Sequence, residues 1–274
     1  MRRVTLLLPL LLCLCSRTHQ EPGRPAPTEP GNARVTPTET PTHGEKSPPV
    51  APMVAAAEPP PQPEPILAPS PEKNLRIIDR PIQWNEQRRS LSLEYLELRH
   101  GLKLAEPVIA PVMVVLHATE SATLSSAFYT FNPPRMPAGE RPFLARASAL
   151  NVSAHFLVDR DGTVVRLLPE TTFARHTVGL NWCAIGIENV GGTPKAPLND
   201  AQARASADLV RHLAGRFPIR HVLGHHEYLA YRKSALWKET STTYFTFKSD
   251  PGAAFMKKVH AHLTDLAFEP VPPP

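Results

Sequence analysis

The sequence predicts one α/β domain, built on a central mixed β-sheet that helices flank. Short apolar segments typical of buried strands alternate with longer segments of helical periodicity, which favours helices packed on a sheet. One pair of strand-like segments is separated by Asp161-Gly162, the signature of a tight hairpin turn, so two of the strands should be antiparallel. The roughly 200 residues from 76 to 274 are enough for one sizeable core.

Each element follows from its local pattern. Helices are expected where apolar residues recur at helical spacing behind a capping residue, at 90–100, 143–150, 199–217 and 253–268. Strands are expected at the short apolar runs 112–116, 155–159, 163–168, 184–190 and 219–223. The expected caps are Ser90 or Ser92 for the first helix and Asn199 or Asp200 for the third.

Residues 1–15 have the composition of an export signal. Arg2 and Arg3 precede a leucine-rich apolar run that is too short to span a bilayer. We expect this segment to direct the protein to the cell envelope, in the periplasm or anchored to the outer membrane, or out of the cell. Cys13 and Cys15 stand where a lipoprotein signal carries its lipidated cysteine, although leucines precede them where a small residue is usual. A lipid anchor and a plain signal peptide both stay open.

Residues 16–75 differ sharply in composition from the rest. Sixteen of the chain's 33 prolines lie between Pro22 and Pro71. Such a stretch cannot bury a core, so we predict a disordered linker with polyproline-II character. The expected organisation is therefore a signal segment at 1–15, a proline-rich linker at 16–75 and a globular domain at 76–274.

Composition and missing motifs argue against several classes of function. The net charge of +5 comes from scattered basic residues and not from a concentrated stripe, which argues against nucleic-acid binding. The sequence has no Walker loop, no G-x-G-x-x-G after a strand and no H-E-x-x-H helix. Once the signal is removed, Cys183 is the one thiol left apart from a lipidated cysteine, so we expect no intramolecular disulfide.

Two histidines follow predicted strands and can meet at one edge of the sheet. His117 follows the strand at 112–116, and His225 follows the strand at 219–223. Either histidine alone is also consistent with a structural hydrogen-bonding group. Together they indicate a zinc site, because zinc binds imidazole nitrogen and carboxylate oxygen. Asp250 is the candidate carboxylate, although Asp250-Pro251-Gly252 is equally the pattern of a helix start with the aspartate as its cap.

Two further charged residues stand near these positions. Glu188 lies in the apolar run 184–190, where an unpaired carboxylate costs several kcal/mol. A structural ion pair explains this placement about as well as a general base beside a metal does. Lys248 precedes Asp250 by two residues, so in an extended segment both share a face, where an ammonium can stabilise an oxyanion. A surface lysine is the alternative.

Five sequence blocks, in order, carry a resemblance to a known family. They are VVLHATE around His117, SAHFLVDRDG at 153–162, ARH at 174–176 with Asn181 before AIGIENVGG, GHHE around His225, and KSDPG around Asp250. Together they resemble the zinc N-acetylmuramoyl-L-alanine amidases, whose fold is shared by phage lysozyme-type amidases, peptidoglycan recognition proteins and bacterial envelope amidases. The resemblance runs from about Val112 to Phe255, over half of the chain.

The resemblance implies zinc as the cofactor, with His117, His225 and Asp250 as its ligands. It implies Glu188 as the general base and Lys248 as the lysine that supports the transition state. The implied reaction is hydrolysis of the amide between N-acetylmuramic acid and the L-alanine of the stem peptide. The implied partner is peptidoglycan or its muropeptide fragments, and we expect a monomer that binds no nucleic acid.

The resemblance also implies that His176 and Asn181 line the substrate groove. Two other functions stay open: a peptidoglycan-binding module without activity, and a zinc amidase that acts on soluble muropeptides. The chain departs from the family in two places. Ala154 stands where many phage members have a tyrosine, and the segment 228–247 is longer than in short members. The aromatic residues of that segment are expected either as additional core or as a wall of the glycan groove.

Overall fold

The computed structural model describes residues 75–273. The predicted signal at 1–15 lies outside the described residues, and so does the predicted linker except for Leu75. Among the described helices, none is both long enough and apolar enough to cross a membrane.

A six-stranded sheet forms the centre of the domain, and its strand order is β1-β4-β3-β5-β2-β6. The strands are β1 (Ile77–Asp79), β2 (Met113–Ala118), β3 (Phe156–Val158), β4 (Val164–Arg166), β5 (Ala184–Asn189) and β6 (His221–Gly224). Only β3 and β4 pair antiparallel, and the other neighbours are parallel. The mixed α/β fold predicted from the sequence is therefore confirmed.

The predicted strands are β2 to β6, with bounds that shift by at most two residues. The hairpin between β3 and β4 is also confirmed. Its turn closes through a hydrogen bond from the Asp159 amide to the Thr163 carbonyl, at 2.8 Å. Gly162 has a φ of 90°, a left-handed conformation that glycine adopts without a Cβ clash. The Asp161-Gly162 dipeptide was therefore a reliable turn signal.

Within residues 75–273, five α-helices and one 3₁₀ helix surround the sheet. They are α1 (Glu86–His100), α2 (Leu124–Phe131), α3 (Pro142–Ala147), α4 (Asp200–Ala214), the 3₁₀ helix His225–Lys233, and α5 (Ala253–Ala261). The sequence pattern missed β1, α2 and the 3₁₀ helix. β1 has three residues and α2 has eight, so each is too short for a clear periodicity.

Helix boundaries depart from prediction where the cap was misidentified. The first helix begins at Glu86, because the Asn85 side chain accepts from the Arg88 amide, so neither Ser90 nor Ser92 is its cap. For α4 the Asn199 cap is confirmed, and Gln202 completes a capping box. α4 ends at Ala214, three residues before the predicted end.

The last helix begins at Ala253 as predicted, but it is shorter than predicted and has a different cap. α5 ends at Ala261 because the amides of His262 and Leu263 bond three residues back, in a tight turn. Gly252 occupies its N-cap position, and no side chain caps the helix. The alternative in which Asp250 is the helix cap is therefore wrong. The predicted helix 143–150 likewise runs from Pro142 to Ala147.

The two faces of the sheet are both buried, as expected for parallel strands. On β2, Val114 and Leu116 pack in the core cluster that includes residues of α4 and α5. Met113 and Val115 point to the other face, into a cluster with Tyr228 of the 3₁₀ helix. Because side chains alternate along a strand, the next residue on that second face is His117.

Candidate metal centre

The candidate site lies at the carboxyl ends of three adjacent parallel strands. In the sheet register His117 of β2 pairs with Glu188 of β5. On the other side of β2, Leu116 pairs with Gly224, the last residue of β6. His225 is the next residue of the chain and therefore lies beside His117. Glu188, His117 and His225 therefore form one row across the sheet edge, which is where ligands bind in open α/β sheets.

Three side chains converge there on atoms that can bind a metal. His117 Nδ1 lies 2.9 Å from His225 Nδ1, and Asp250 Oδ2 lies 3.1 Å from His225 Nδ1 and 3.5 Å from His117 Nδ1. Tetrahedral zinc with bonds of about 2.0–2.2 Å places neighbouring ligand atoms roughly 3.3–3.6 Å apart. Two imidazoles and one carboxylate at these separations fit such an ion.

Asp250 belongs to no regular element, so its backbone must be held by other contacts. The amide of His226 donates to the Asp250 carbonyl at 2.8 Å, and the His226 ring lies 3.3 Å from the same oxygen through Nδ1. His226, which is not one of the three candidate ligands, thus binds the Asp250 backbone. The Asp250 carboxylate remains directed at the two histidines.

Electrostatics favour the ligand forms of these groups. Burial, and to a smaller extent the neighbouring His117, lowers the pKa of His225 to about 3, so the imidazole is neutral at pH 7. Burial alone would raise the pKa of Asp250, but hydrogen bonds with His117 and His225 hold that pKa well below its usual range. Neutral imidazole and ionised carboxylate are the forms that bind metal ions.

Glu188 is a buried carboxylate in an apolar strand. Burial raises its pKa to about 7, the opposing attraction of His117 being smaller. Its Oε2 atom accepts no hydrogen bond, and within residues 75–273 the carboxylate has no salt-bridge partner. The described residues thus offer no structural ion pair to explain Glu188.

A cavity of about 510 Å³ opens over this row of residues. Glu188, His117 and Asp250 lie in its wall together with Lys248, which is exposed. Phe247 also lies in the wall and is 85% exposed. The cavity therefore brings together all the metal-ligand and catalytic candidates named from the sequence.

His176 and Asn181 also line the cavity, and both make protein contacts there. His176 Nδ1 lies 3.1 Å from His117 Nε2, and His176 Nε2 lies 3.1 Å from the Ala184 carbonyl oxygen. Asn181 Oδ1 accepts from the backbone amides of His176 and Thr177. Burial, and to a smaller extent the nearby His117, holds the pKa of His176 well below its ordinary value. A role of either residue in binding substrate stays a prediction.

The long segment 228–247 divides between core and cavity. Tyr228 is buried and stacks on Trp237, whose ring covers Gly179 so closely that a Cβ there would lie 2.6 Å from it. Tyr244 is buried as well and stacks on Phe143 at the cavity. These aromatics are additional core. Phe247 alone of this group is strongly exposed in the cavity wall.

Thr177 and Arg141 are two polar cavity residues that were not identified from the sequence. Thr177 places its hydroxyl 3.4 Å from His117 Nε2, a contact that only the fold reveals. Arg141 lies in the cavity wall with a left-handed φ of 44°, and its charge lowers the pKa of Glu188 against the dominant effect of burial. No sequence pattern marks Arg141 as special.

The sequence of this chain matches a known protein family. A family profile described as N-acetylmuramoyl-L-alanine amidase matches residues 107–253, more than half of the chain. The fold and the site thus define an α/β protein with a His-His-Asp centre at the carboxyl edge of its sheet. The chain belongs to the N-acetylmuramoyl-L-alanine amidase family.

Two characterised proteins are similar in sequence. A 1,6-anhydro-N-acetylmuramyl-L-alanine amidase, AmpD of Enterobacter cloacae, is 33% identical over 134 residues, which cover 45% of this chain and 63% of that protein. An endolysin of Enterobacteria phage K11 is 30% identical over 83 residues, covering 28% and 55%. The chain thus spans less than two thirds of the length of each of these relatives.

Solved structures resemble this chain at low sequence identity. The N-acetylmuramoyl-L-alanine amidase LysC from Clostridium intestinale URNW is 19% identical, with a TM-score of 0.40, and the match covers 69% of this chain and 97% of LysC.

Proposed function

We propose that the protein is a zinc-dependent peptidoglycan amidase. It hydrolyses the amide between N-acetylmuramic acid and the L-alanine of the stem peptide. The observation that carries this proposal is the row of Glu188, His117 and His225, completed by Asp250, in the wall of one cavity. Membership in the amidase family supports the same reaction.

His117, His225 and Asp250 are the proposed zinc ligands. Their three ligand atoms lie within 4.8 Å of one another, and neutral imidazole with ionised carboxylate is the donor set that zinc prefers. Zinc bound there supplies Lewis-acid chemistry, polarising the scissile carbonyl and lowering the pKa of water toward about 7.

Glu188 is the proposed general base. A pKa raised to about 7 lets its carboxylate take a proton near neutral pH and return it to the leaving amine. Its Oε2 accepts no hydrogen bond from the described residues, so this atom is free to accept that proton. Lys248, exposed in the same cavity wall, directs a positive charge toward the developing oxyanion.

A soluble muropeptide is the second candidate substrate. The specific observation that favours it is the 33% identity to a relative whose name gives a 1,6-anhydro-N-acetylmuramyl substrate. A purely binding role is less favoured, because all three proposed ligand positions carry metal-binding side chains. The proposal also places the protein in the cell envelope, through export and a lipid anchor on Cys13 or Cys15. This part of the proposal rests on the sequence of residues 1–75.

A digest of purified peptidoglycan tests the proposed reaction. The zinc-loaded protein should release peptides that begin with L-alanine and leave unbroken glycan strands, as identified by mass spectrometry. Isolated anhydro-muropeptides assayed in parallel separate the two substrates. Cleavage within the glycan, or no cleavage of either substrate by folded and zinc-loaded protein, would refute the proposal.

A further inference from the structure

The ring of His176 lies directly on the backbone of β5. Its Cγ atom would be 2.7 Å from a Cβ at position 186, so only glycine fits there. The ring of His155 approaches from another side, with centroids 5.9 Å apart, and its Nδ1 accepts from the Gly186 amide at 3.0 Å. The His176 ring is therefore held at a fixed distance from the β5 backbone.

The Ala184 carbonyl fixes which nitrogen of His176 carries the proton. His176 Nε2 lies 3.1 Å from that oxygen, and a carbonyl oxygen can only accept. Nε2 must therefore carry the hydrogen. In the neutral ring, the lone pair is then on Nδ1, which lies 3.1 Å from Nε2 of His117.

The proton position on His176 in turn determines which nitrogen of His117 carries a proton. Two unprotonated nitrogens facing each other at 3.1 Å would repel, so His117 Nε2 must be the donor. The lone pair of neutral His117 then lies on Nδ1, the atom that faces His225 and Asp250. Without an ion, a proton on His225 Nδ1, which Asp250 Oδ2 can also accept, prevents the same repulsion between His225 Nδ1 and His117 Nδ1. The Thr177 hydroxyl, 2.9 Å from His176 Nδ1 and 3.4 Å from His117 Nε2, can donate to the first and accept from the second.

We propose that His176 is a positioning residue for the metal ligand His117. A hydrogen-bond relay from His117 through His176 to the Ala184 carbonyl holds His117 in the tautomer whose Nδ1 lone pair faces the zinc site. Outer hydrogen bonds of this kind orient metal-binding imidazoles in general. The inference rests on the proposed zinc site and adds a role for residues that do not bind the ion.

Asn181 supports the same relay through the backbone. Its Oδ1 accepts from the amide of His176 at 2.8 Å and from the amide of Thr177 at 2.6 Å. One buried amide oxygen thus fixes the two residues whose side chains contact His117 Nε2. Asn181 acts in this relay by shaping the loop.

Histidine ring NMR tests the tautomers without reference to activity. Nitrogen-15 correlation spectra of the metal-free protein should show both His117 and His176 as Nε2–H tautomers, and zinc should leave both in that form. An Nδ1–H tautomer on either ring would overturn the proposal. This measurement uses the unmodified chain, so it remains decisive if a His176 variant fails to fold.

Zinc affinity, measured by competition with a chelator, tests the consequence. His176→Leu removes the acceptor for His117 and should weaken zinc binding by about 10- to 100-fold. His176→Asn keeps an oxygen acceptor near the Nδ1 position and should restore most of the loss. His260→Leu, at an exposed position on α5, is the matched control and should bind zinc like the wild type.

The outcomes distinguish this inference from the proposed function. Wild-type affinity in folded His176→Leu, or equal losses in the Leu and Asn variants, would overturn the positioning role and leave the zinc site standing. A wild-type protein that binds no zinc would overturn both.

Discussion

Glu188 shows how one residue acquires a chemical property from its position. A carboxylate at the end of an apolar strand loses hydration, and within residues 75–273 it gains no salt bridge in return. The result is a pKa raised to about 7, caused first by burial. A carboxylate with this pKa can both accept and donate a proton near neutral pH.

Glu188→Gln should separate catalysis from folding. The variant keeps the size of the side chain and leaves the proposed ligands untouched, so zinc content and the unfolding midpoint should change little. Turnover of a muramoyl-peptide should fall by about 10²- to 10⁴-fold, the usual contribution of a general base. Glu94→Gln, on the exposed side of α1, is the control. A folded, zinc-loaded Glu188→Gln protein with near-normal turnover would remove Glu188 from the mechanism.

At the scale of elements, the segment 228–247 supplies both packing and cavity wall. Its tyrosines Tyr228, Tyr231 and Tyr244 are buried, whereas Phe247 is 85% exposed beside Lys248. Exposing an aromatic ring gives no stability, so the ring's place in the cavity wall points to contact with substrate.

Phe247→Ala should therefore weaken substrate binding more than it slows chemistry. We expect KM to rise by about tenfold, which corresponds to about 1.4 kcal/mol, with kcat changing much less. Thermal stability should stay near that of the wild type, because the ring is mostly exposed. Tyr129→Ala removes another exposed aromatic, outside the cavity, and should leave KM unchanged. An unchanged KM in Phe247→Ala would exclude Phe247 from the binding surface.

The sequence predicted the strand-borne part of the site better than the loop-borne part. His117 follows an apolar run and Glu188 lies near the end of another, so strand pattern alone places them toward the sheet edge. Asp250 lies in an irregular segment, and local pattern suggested a helix cap that the structure does not contain. The residue pattern left Asp250 open between a metal ligand and a helix cap, and the motif resemblance favoured the position beside the histidines. The contact of His176 with the Ala184 carbonyl depends on loop path and packing, which no periodicity encodes.

At the scale of the whole molecule, buried histidines couple stability to pH. His100 and His155 are both buried, and burial lowers the pKa of each to about 4. In the unfolded chain the same groups bind a proton below about pH 6.5. Because the unfolded state then binds more protons, stability is complete above pH 6.5 and falls as the pH drops toward 4.

Urea unfolding at several pH values should show this loss. Each such histidine contributes up to about 1.4 kcal/mol per pH unit within that window. His100→Gln should reduce the slope between pH 6.5 and 4.5, because Gln cannot titrate and can still donate to the Lys238 carbonyl that His100 contacts. His260→Gln, at an exposed site, should leave the slope unchanged. An identical slope in His100→Gln and wild type would contradict the assignment.

Elemental analysis of the purified, active protein tests the central claim most directly, because everything proposed for the cavity depends on its metal. We expect one zinc per chain in the wild type. His225→Ala should lose both zinc and amidase activity while circular dichroism shows a folded domain. Full activity in wild-type protein that contains no zinc, or in folded His225→Ala, would contradict the account.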